Sequence, residues 1–325
     1  MTTGVYLSGI DYATGQLVPL ELLKGKEKIP RKLRADLRAK GLAHVSVDRR
    51  TIAELVLESV RRTLMRTSLQ PGDIGAVVVA NSTACWSDES ERGLLLALNQ
   101  AGFTKARIAG VNLQGCAVSE SAIELAASML RATPSRSVAL LIIVGKAGEG
   151  SRLGYQNSTV YGDGAASAVV SLGSGEFEVV AMGNSTDAAL AMKPGVAESS
   201  LNTLQAGLMH LRGLCSEVLR RAGMGPTEID HVFGTNGSEA YLNMIAIATE
   251  IPPNRVYRDC LSRFGHIFAC DNFIGMSHFA REGRLSAGTC HMLVSWAPHA
   301  VSACVLRYTA LASHLTAAEV APACR

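Results

Sequence analysis

The feature that most constrains the fold of this chain is an alternation of short, apolar runs with longer amphipathic segments. Several of the runs are rich in β-branched residues and apolar on both faces, which is typical of strands covered on both sides of a sheet. The runs lie at 74–80, 108–113, 138–144, 168–170, 179–181, 231–233 and 292–294. Helical periodicity lies between them, over 52–65, 119–130 and 201–222. This order predicts an α/β protein with helices on both faces of its sheet.

The two halves of the chain share a coarse pattern of amphipathic helix, short polar stretch and strand. In the first half the three parts lie at 54–65, 71–74 and around 77, and in the second at 208–221, 226–230 and around 232. We therefore predict two similar halves, 1–174 and 175–325, joined near Ser174 and Gly175. Because no Pro- or Ser-rich linker divides them, we expect the halves to share one core.

Composition excludes several classes of function. With 31 Lys and Arg against 28 Asp and Glu, the net charge of +3 is small and scattered, which argues against nucleic-acid binding. No apolar run approaches the ~20 residues needed to span a bilayer, and the first residues do not resemble a signal peptide, so we expect a cytoplasmic protein. The eight cysteines form no CxxC pairs, and neither a metal site nor disulfides are predicted.

Cys116 is the strongest candidate for a nucleophile. It lies directly after a strand-like run and directly before an Ala-rich helical segment. A thiol at a helix N-terminus is near the positive end of the macrodipole and near free backbone N–H groups, which favour the thiolate. The alternative is a buried structural cysteine, a common state for this side chain.

A second motif, Gly162-Asp163-Gly164, leads into small residues and an apolar strand some 45 residues after the cysteine. By itself it is compatible with an ordinary hairpin turn. Combined with the strand–Cys–helix element, it resembles the Cys region and the GDGA segment of β-ketoacyl synthase III. The resemblance extends in order and spacing over roughly residues 53–308.

This resemblance implies a thiolase fold, a five-layer αβαβα arrangement of two similar halves with the active site between them. It also implies a homodimer in which a strand edge pairs across a two-fold axis. The condensing members of the family use a Cys-His-Asn set. Here Ser238 stands where the family has His, and His266 stands where it has Asn. We therefore expect the pair that supports decarboxylation to be missing.

A histidine, His299, occupies the region where the family has a glycine-rich loop, and Asp271 lies in the loop that carries His266. We predict a Cys116-His299-Asp271 triad, which resembles the non-decarboxylating, ester-forming branch of the family found in natural-product biosynthesis. In such a triad the His removes a proton from the incoming hydroxyl or amine, and the carboxylate orients the imidazole. The alternative role of Asp271 is a helix N-cap, and His266 and His278 are the reserve candidates for the base.

The resemblance leaves the acyl donor open between acyl-CoA and the phosphopantetheine of an acyl carrier protein, and it implies no tightly bound cofactor. Arg38 lies in the stretch that corresponds to the family's adenine-binding segment, but the Trp of that segment is absent. The alternative is that Arg34, Arg38 and Lys40 form a solvated helix face.

The leading functional hypothesis is acyl transfer through Cys116 to an oxygen, nitrogen or sulfur nucleophile without decarboxylation. The second is a decarboxylating Claisen condensation with a rearranged base. The third is a catalytically idle partner subunit, against which the presence of Cys116 argues.

Overall fold

The structure, a computed structural model, describes residues 4–83, 86–133, 138–148, 150, 152–155, 157–190 and 201–310. The strands in these ranges are β1 (Val5–Thr14), β2 (Gln16–Pro19), β3 (His44–Val47), β4 (Ala76–Asn81), β5 (Arg107–Val111), β6 (Val138–Gly145), β7 (Leu153–Gly154), β8 (Thr159–Val160), β9 (Gly164–Leu172), β10 (Phe177–Thr186), β11 (His231–Gly234), β12 (Cys290–Ala297) and β13 (Ala300–Tyr308). The α-helices are α1 (Arg31–Ala39), α2 (Ile52–Thr67), α3 (Asp88–Gln100), α4 (Val118–Arg131), α5 (Leu201–Ala222), α6 (Glu239–Thr249), α7 (Leu261–Phe264) and α8 (Asp271–Arg281).

Nine strands form one mixed sheet in the order β11-β12-β13-β10-β1-β9-β6-β4-β5. Its two halves, β1-β9-β6-β4-β5 and β10-β13-β12-β11, meet at only two register pairs between β1 and β10. Counted outward from the β1–β10 junction, the pairs β1–β9 and β9–β6 are antiparallel and β6–β4 is parallel. In the second half β10–β13 and β13–β12 are likewise antiparallel and β12–β11 is parallel. The two half-sheets therefore have the same strand directions, and the proposed division between residues 174 and 175 falls between β9 and β10.

The helices form three layers around the two half-sheets. Helices α2 and α3 cover the outer face of the first half-sheet, and α5 and α6 cover the outer face of the second. Helices α4 and α8 pack between the half-sheets and contact strands of both. The predicted five-layer αβαβα arrangement is confirmed.

The sequence explains the most regular of these elements directly. All eight residues of β6, Val-Ala-Leu-Leu-Ile-Ile-Val-Gly, are buried, because β6 lies between β9 and β4 under helices on both faces. Helix α2 begins with a capping box in which the Thr51 side chain accepts from the Glu54 N–H and the Glu54 side chain accepts from the Thr51 N–H. None of the helices in the described part of the chain is long and apolar enough to cross a membrane.

Candidate active site

Cys116 lies where the chain reverses between β5 and α4. The reversal uses two residues in the left-handed region, Leu113 (φ 71°) and Gly115 (φ 52°), and Cys116 follows in a single 3-10 turn directly before α4. Its side chain packs against Ala297, Ala300 and the ring of Phe268, and the residue is only 4% exposed. The sulfur is thus held at the positive end of a 14-residue helix in a nearly closed environment.

His266 is the imidazole in contact with this thiol. Its Nε2 is 3.2 Å from the Cys116 sulfur, and the residue is fully buried. The backbone sets this position, because the N–H of His266 donates to the Val160 carbonyl at 2.8 Å and its carbonyl accepts from the Gly162 N–H at 2.9 Å. The preceding Gly265 has φ 68°, a conformation that glycine adopts without the strain of a Cβ.

Asp271 holds the other side of the imidazole. Its Oδ2 accepts from His266 Nδ1 at 2.6 Å and from the Asn236 N–H at 2.7 Å, while Oδ1 accepts from the Ile267 N–H at 2.7 Å. The residue is 3% exposed and is the first residue of α8, yet no side chain caps that helix. These contacts place the carboxylate on the His266 loop, and they fix the ring with Nε2 toward the sulfur.

The groups around His266 favour the charged form of its imidazole. Burial by itself would lower the pKa of His266, but the adjacent Cys116 and the Asp271 carboxylate outweigh burial and raise that pKa to about 10. A protonated His266 between a sulfur and a carboxylate is the state in which a cysteine is ready to attack and the imidazolium is ready to protonate a leaving group.

The Gly-Asp-Gly motif supports the His266 loop. A Cβ on Gly162 would lie 2.5 Å from the Phe264 carbonyl oxygen, and one on Gly164 would lie 2.9 Å from the Ile267 side chain. Only glycine therefore allows the two backbone segments to approach this closely. The intervening Asp163 is fully buried and accepts hydrogen bonds from the N–H groups of Asp48 and Ala147 and from the guanidinium of Arg152. The motif thus fixes the backbone that carries the imidazole.

Aromatic side chains surround the Cys116–His266 pair, and of these the sequence suggested Phe268 as a pocket residue but none of the three tyrosines. The Tyr155 hydroxyl is 3.9 Å from the Cys116 sulfur, and the ring of Tyr155 stacks on Tyr241 with centroids 5.6 Å apart. Tyr161 and Phe268 stack on each other beside the imidazole, at 4.8 Å. These residues come from separate loops and helices, so no periodic pattern in the sequence groups them.

The structure gives His299 a partner other than the Cys116 sulfur. His299 lies in the two-residue turn between β12 and β13, and its Nε2 donates to the Leu113 carbonyl at 2.9 Å. The Ala297–Ala300 register pair places His299 in this turn, and its ring contacts the backbone three residues before Cys116. The structure brings Cys116 and Asp271 together around His266, which was a reserve candidate for the base.

The remaining candidates have polar partners other than the Cys116, His266 and Asp271 side chains. The other reserve histidine, His278, contacts the Tyr257 hydroxyl at 2.6 Å and Glu282 at 3.3 Å. Ser238 is the N-cap of α6, and its hydroxyl accepts from the Tyr241 N–H at 3.3 Å. Arg38 on α1 forms an ion pair with Glu21 at the surface. Within the described ranges, no three His, Cys, Asp or Glu side chains are grouped as a metal ion would require.

Comparisons with known proteins agree with this architecture. Residues 219–308 match the family profile described as 3-oxoacyl-[acyl-carrier-protein (ACP)] synthase III C terminal. The β-ketoacyl-[acyl-carrier-protein] synthase III of Aquifex aeolicus (strain VF5) is 20% identical over 255 residues, which are 73% of this chain and 78% of the relative.

Two solved structures extend the likeness to nearly the whole chain. The acyltransferase ChlB3 has a TM-score of 0.80 at 19% identity, covering 96% of this chain and 100% of its own. The 3-oxoacyl-[acyl-carrier-protein] synthase III from Aquifex aeolicus VF5 has a TM-score of 0.76 at 16% identity, covering 94% and 100%. At these identities the likeness shows the fold, which is the thiolase fold.

Proposed function

We propose that this chain is an acyltransferase that moves an acyl group from a carrier-protein or CoA thioester through Cys116 to an oxygen, nitrogen or sulfur nucleophile, without decarboxylation. The observation that carries the proposal is the buried relay from the Cys116 sulfur through His266 to Asp271, with contacts of 3.2 and 2.6 Å. The similarity to ChlB3, an acyltransferase, supports it, and we place the reaction in natural-product biosynthesis.

The relay supplies both halves of a transfer reaction. In the first half the Cys116 thiolate attacks the thioester carbonyl carbon, and the departing donor thiolate takes the proton that His266 carries. In the second half neutral His266 removes the proton of the acceptor as that acceptor attacks the acyl-Cys116 carbonyl, and the C–S bond breaks to release Cys116 as the thiolate. Asp271 holds the tautomer and stabilises the imidazolium that forms again.

Decarboxylative condensation needs more than this relay. An enolate formed from a malonyl thioester requires donors to its oxygen, and removal of one such donor typically costs about 3 kcal/mol in the barrier. The residue at the family's His position, Ser238, uses its hydroxyl to cap α6. His266, at the family's Asn position, is engaged by the sulfur and the carboxylate. A neutral serine hydroxyl is a weaker donor to an enolate oxygen than an imidazole, and His266 already has two partners, which favours transfer over condensation.

The nucleophile is tested by intact-mass analysis after exposure to a panel of acyl-CoA and acyl-pantetheine thioesters. The wild-type chain should gain the mass of one acyl group, and Cys116→Ala should gain none. Cys290→Ala is the matched control, because Cys290 is a buried cysteine of similar exposure, 6% against 4%. An adduct that persists in Cys116→Ala would place the nucleophile elsewhere.

The reaction type is tested with a malonyl thioester. Transfer predicts an intact malonyl ester or amide on the acceptor and no release of carbon dioxide. Carbon dioxide released in step with product would support the condensing hypothesis in its place.

For the acyl donor we propose a pantetheine thioester whose carrier or nucleotide part meets the basic face of α1. Arg38 is about half exposed even in its ion pair with Glu21, and the carbonyl of Glu21 also accepts from Arg34. Arg38→Glu should raise the KM for the true donor, acyl-CoA or acyl carrier protein, and leave the KM for acyl-pantetheine unchanged. An equal effect on all three donors would argue against this surface.

We further propose a homodimer formed through the β5 edge. Strand β5 pairs with β4 on one side, and no described strand pairs with its other side. Exposed apolar side chains line this edge and the adjoining helix and turn, namely Leu95, Leu96, Ile108 and Leu113. An unpaired strand edge bordered by apolar surface fits a second copy of the same edge across a two-fold axis.

The dimer is tested by light scattering after size exclusion. The wild-type chain should have about twice the chain mass of 34.3 kDa. Ile108→Glu should shift it to the monomer, whereas Met65→Glu, at an exposed apolar residue of α2, should not. A monomeric wild-type chain would contradict the proposal.

A further inference from the structure

The side chain of Tyr155 lies beside Cys116 but takes no part in the mechanism proposed above. Its hydroxyl lies 3.9 Å from the Cys116 sulfur, and its ring centroid lies 6.1 Å from that of His266. The sulfur thus has two polar neighbours in the described part of the chain, one a charged imidazole and the other a phenol.

The surroundings hold this phenol in one place. The ring is stacked on Tyr241 and meets Tyr161 edge-on at 6.1 Å. The backbone of Tyr155 is left-handed, with φ 44°, and its carbonyl accepts from both the N–H and the hydroxyl of Ser158. This conformation is uncommon for a bulky non-glycine residue, and it persists only where the surrounding contacts hold it.

The hydroxyl stays protonated and can act as a donor. Burial raises the pKa of Tyr155 well above its ordinary value, and the charge of the neighbouring Cys116 raises it further. In the turn between β12 and β13, Pro298 has no N–H to donate, and the His299 ring donates to the Leu113 carbonyl.

We propose that Tyr155 is a catalytic hydrogen-bond donor, which stabilises the Cys116 thiolate in the resting enzyme and the acyl oxyanion during transfer. This inference rests on the proposed function. As the C–S bond to Cys116 forms, the carbonyl π pair moves to oxygen, and the Tyr155 O–H donates to that oxygen without giving up its proton. The pair then returns to re-form C=O while the bond to the donor sulfur breaks, and the departing thiolate takes the proton of His266.

The test is Tyr155→Phe, which keeps the stacked ring and removes only the hydroxyl. The rate at which an acyl-CoA acylates Cys116 should fall about a hundredfold, the size expected when one oxyanion donor is lost. Tyr308→Phe is the control, since Tyr308 is a partly buried tyrosine of β13 packed against Phe177, outside the site. It should acylate at the wild-type rate.

A second measurement needs no acyl substrate. Alkylation of Cys116 by iodoacetamide at about pH 7 should be several-fold slower in Tyr155→Phe, because the sulfur loses one of its two polar neighbours. Wild-type alkylation rates in Tyr155→Phe would overturn the proposal, as would acylation within about twofold of wild type. If the wild-type chain takes up no acyl group, the proposed function fails, and alkylation alone decides the role of Tyr155.

Discussion

Two histidine-bearing turns lie near Cys116, and they differ in what holds the imidazole. The ring of His266 is fully buried between the Cys116 sulfur and the Asp271 carboxylate, so both nitrogens are oriented. The ring of His299 is partly exposed and donates to a backbone carbonyl, that of Leu113. This difference supports the proposal of His266, and not His299, as the base. A carboxylate behind the ring and a backbone that aims it are what orient an imidazole for proton transfer.

The sharpest way to break this comparison is His266→Ala. Loss of the base should lower turnover at least about a thousandfold, because the same imidazole serves acylation and transfer. The measurement is kcat/KM with the best donor and acceptor found by mass analysis. His278→Ala, at the other reserve histidine, is the control and should stay near wild type. A fall of less than about tenfold in His266→Ala would show that His266 is not the base.

Asp271→Asn should have the next largest effect, a loss of about a hundredfold or more in kcat. The amide offers one acceptor oxygen where the carboxylate accepts from three N–H groups, including that of His266. The ring then loses its orientation and its charge partner. Urea unfolding should be measured alongside turnover, to separate lost activity from lost stability.

Asp230→Asn is the matched control for that variant. Asp230 accepts from the Cys290 N–H at 2.8 Å at the start of β12, away from the site. It should cost stability without a loss of kcat per folded molecule. Equal losses of kcat in both variants would mean that Asp271 acts only on the fold.

The fold follows from local signals in the sequence to a large extent. The apolar run of β6 and the periodicity of α5, whose predicted bounds match Leu201–Ala222, each reflect burial of one element. Strand β1, Val5–Thr14, has no such signal, because Gly9 and Asp11 interrupt its pattern. Asp11 lies beside Arg281, and Gly9 N–H donates to Glu176. Long-range partners of this kind leave no periodicity.

The site was harder to predict than the fold for the same reason. Cys116 has a local signature, a strand before it and a helix after it. Its partner lies 150 positions away and is brought to the sulfur by the sheet order and the Gly-Asp-Gly segment. One local signal does point to His266, namely Asp271 five residues later in the same loop. A prediction based on that spacing would have favoured His266 over His299.

The variant His299→Ala tests the second of the two histidine-bearing turns. Loss of a hydrogen bond worth about 1 kcal/mol to the Leu113 carbonyl should loosen the turn before Cys116 and lower turnover by about fivefold. His299→Gln should restore much of it, because an amide can donate to the same carbonyl but cannot act as a base. If His299→Ala lost as much activity as His266→Ala, and Gln failed to rescue it, the base would be His299.

The smallest effect is expected for Ser238→Ala, at the position predicted from the sequence to correspond to the family's histidine. The hydroxyl caps α6 by accepting from the Tyr241 N–H at 3.3 Å, so its removal should cost about 1 kcal/mol of unfolding free energy. Turnover per folded molecule should not change, because the Tyr241 ring remains packed against Trp296. Ser87→Ala is a close control, since Ser87 caps α3 in the same way with a distance of 3.2 Å and lies on another helix. Urea unfolding should give similar losses for both, and both should transfer acyl groups at the wild-type rate. If Ser238→Ala stopped turnover while Ser87→Ala did not, the hydroxyl would have a part in the chemistry, and a condensing reaction with a rearranged donor set would replace simple transfer.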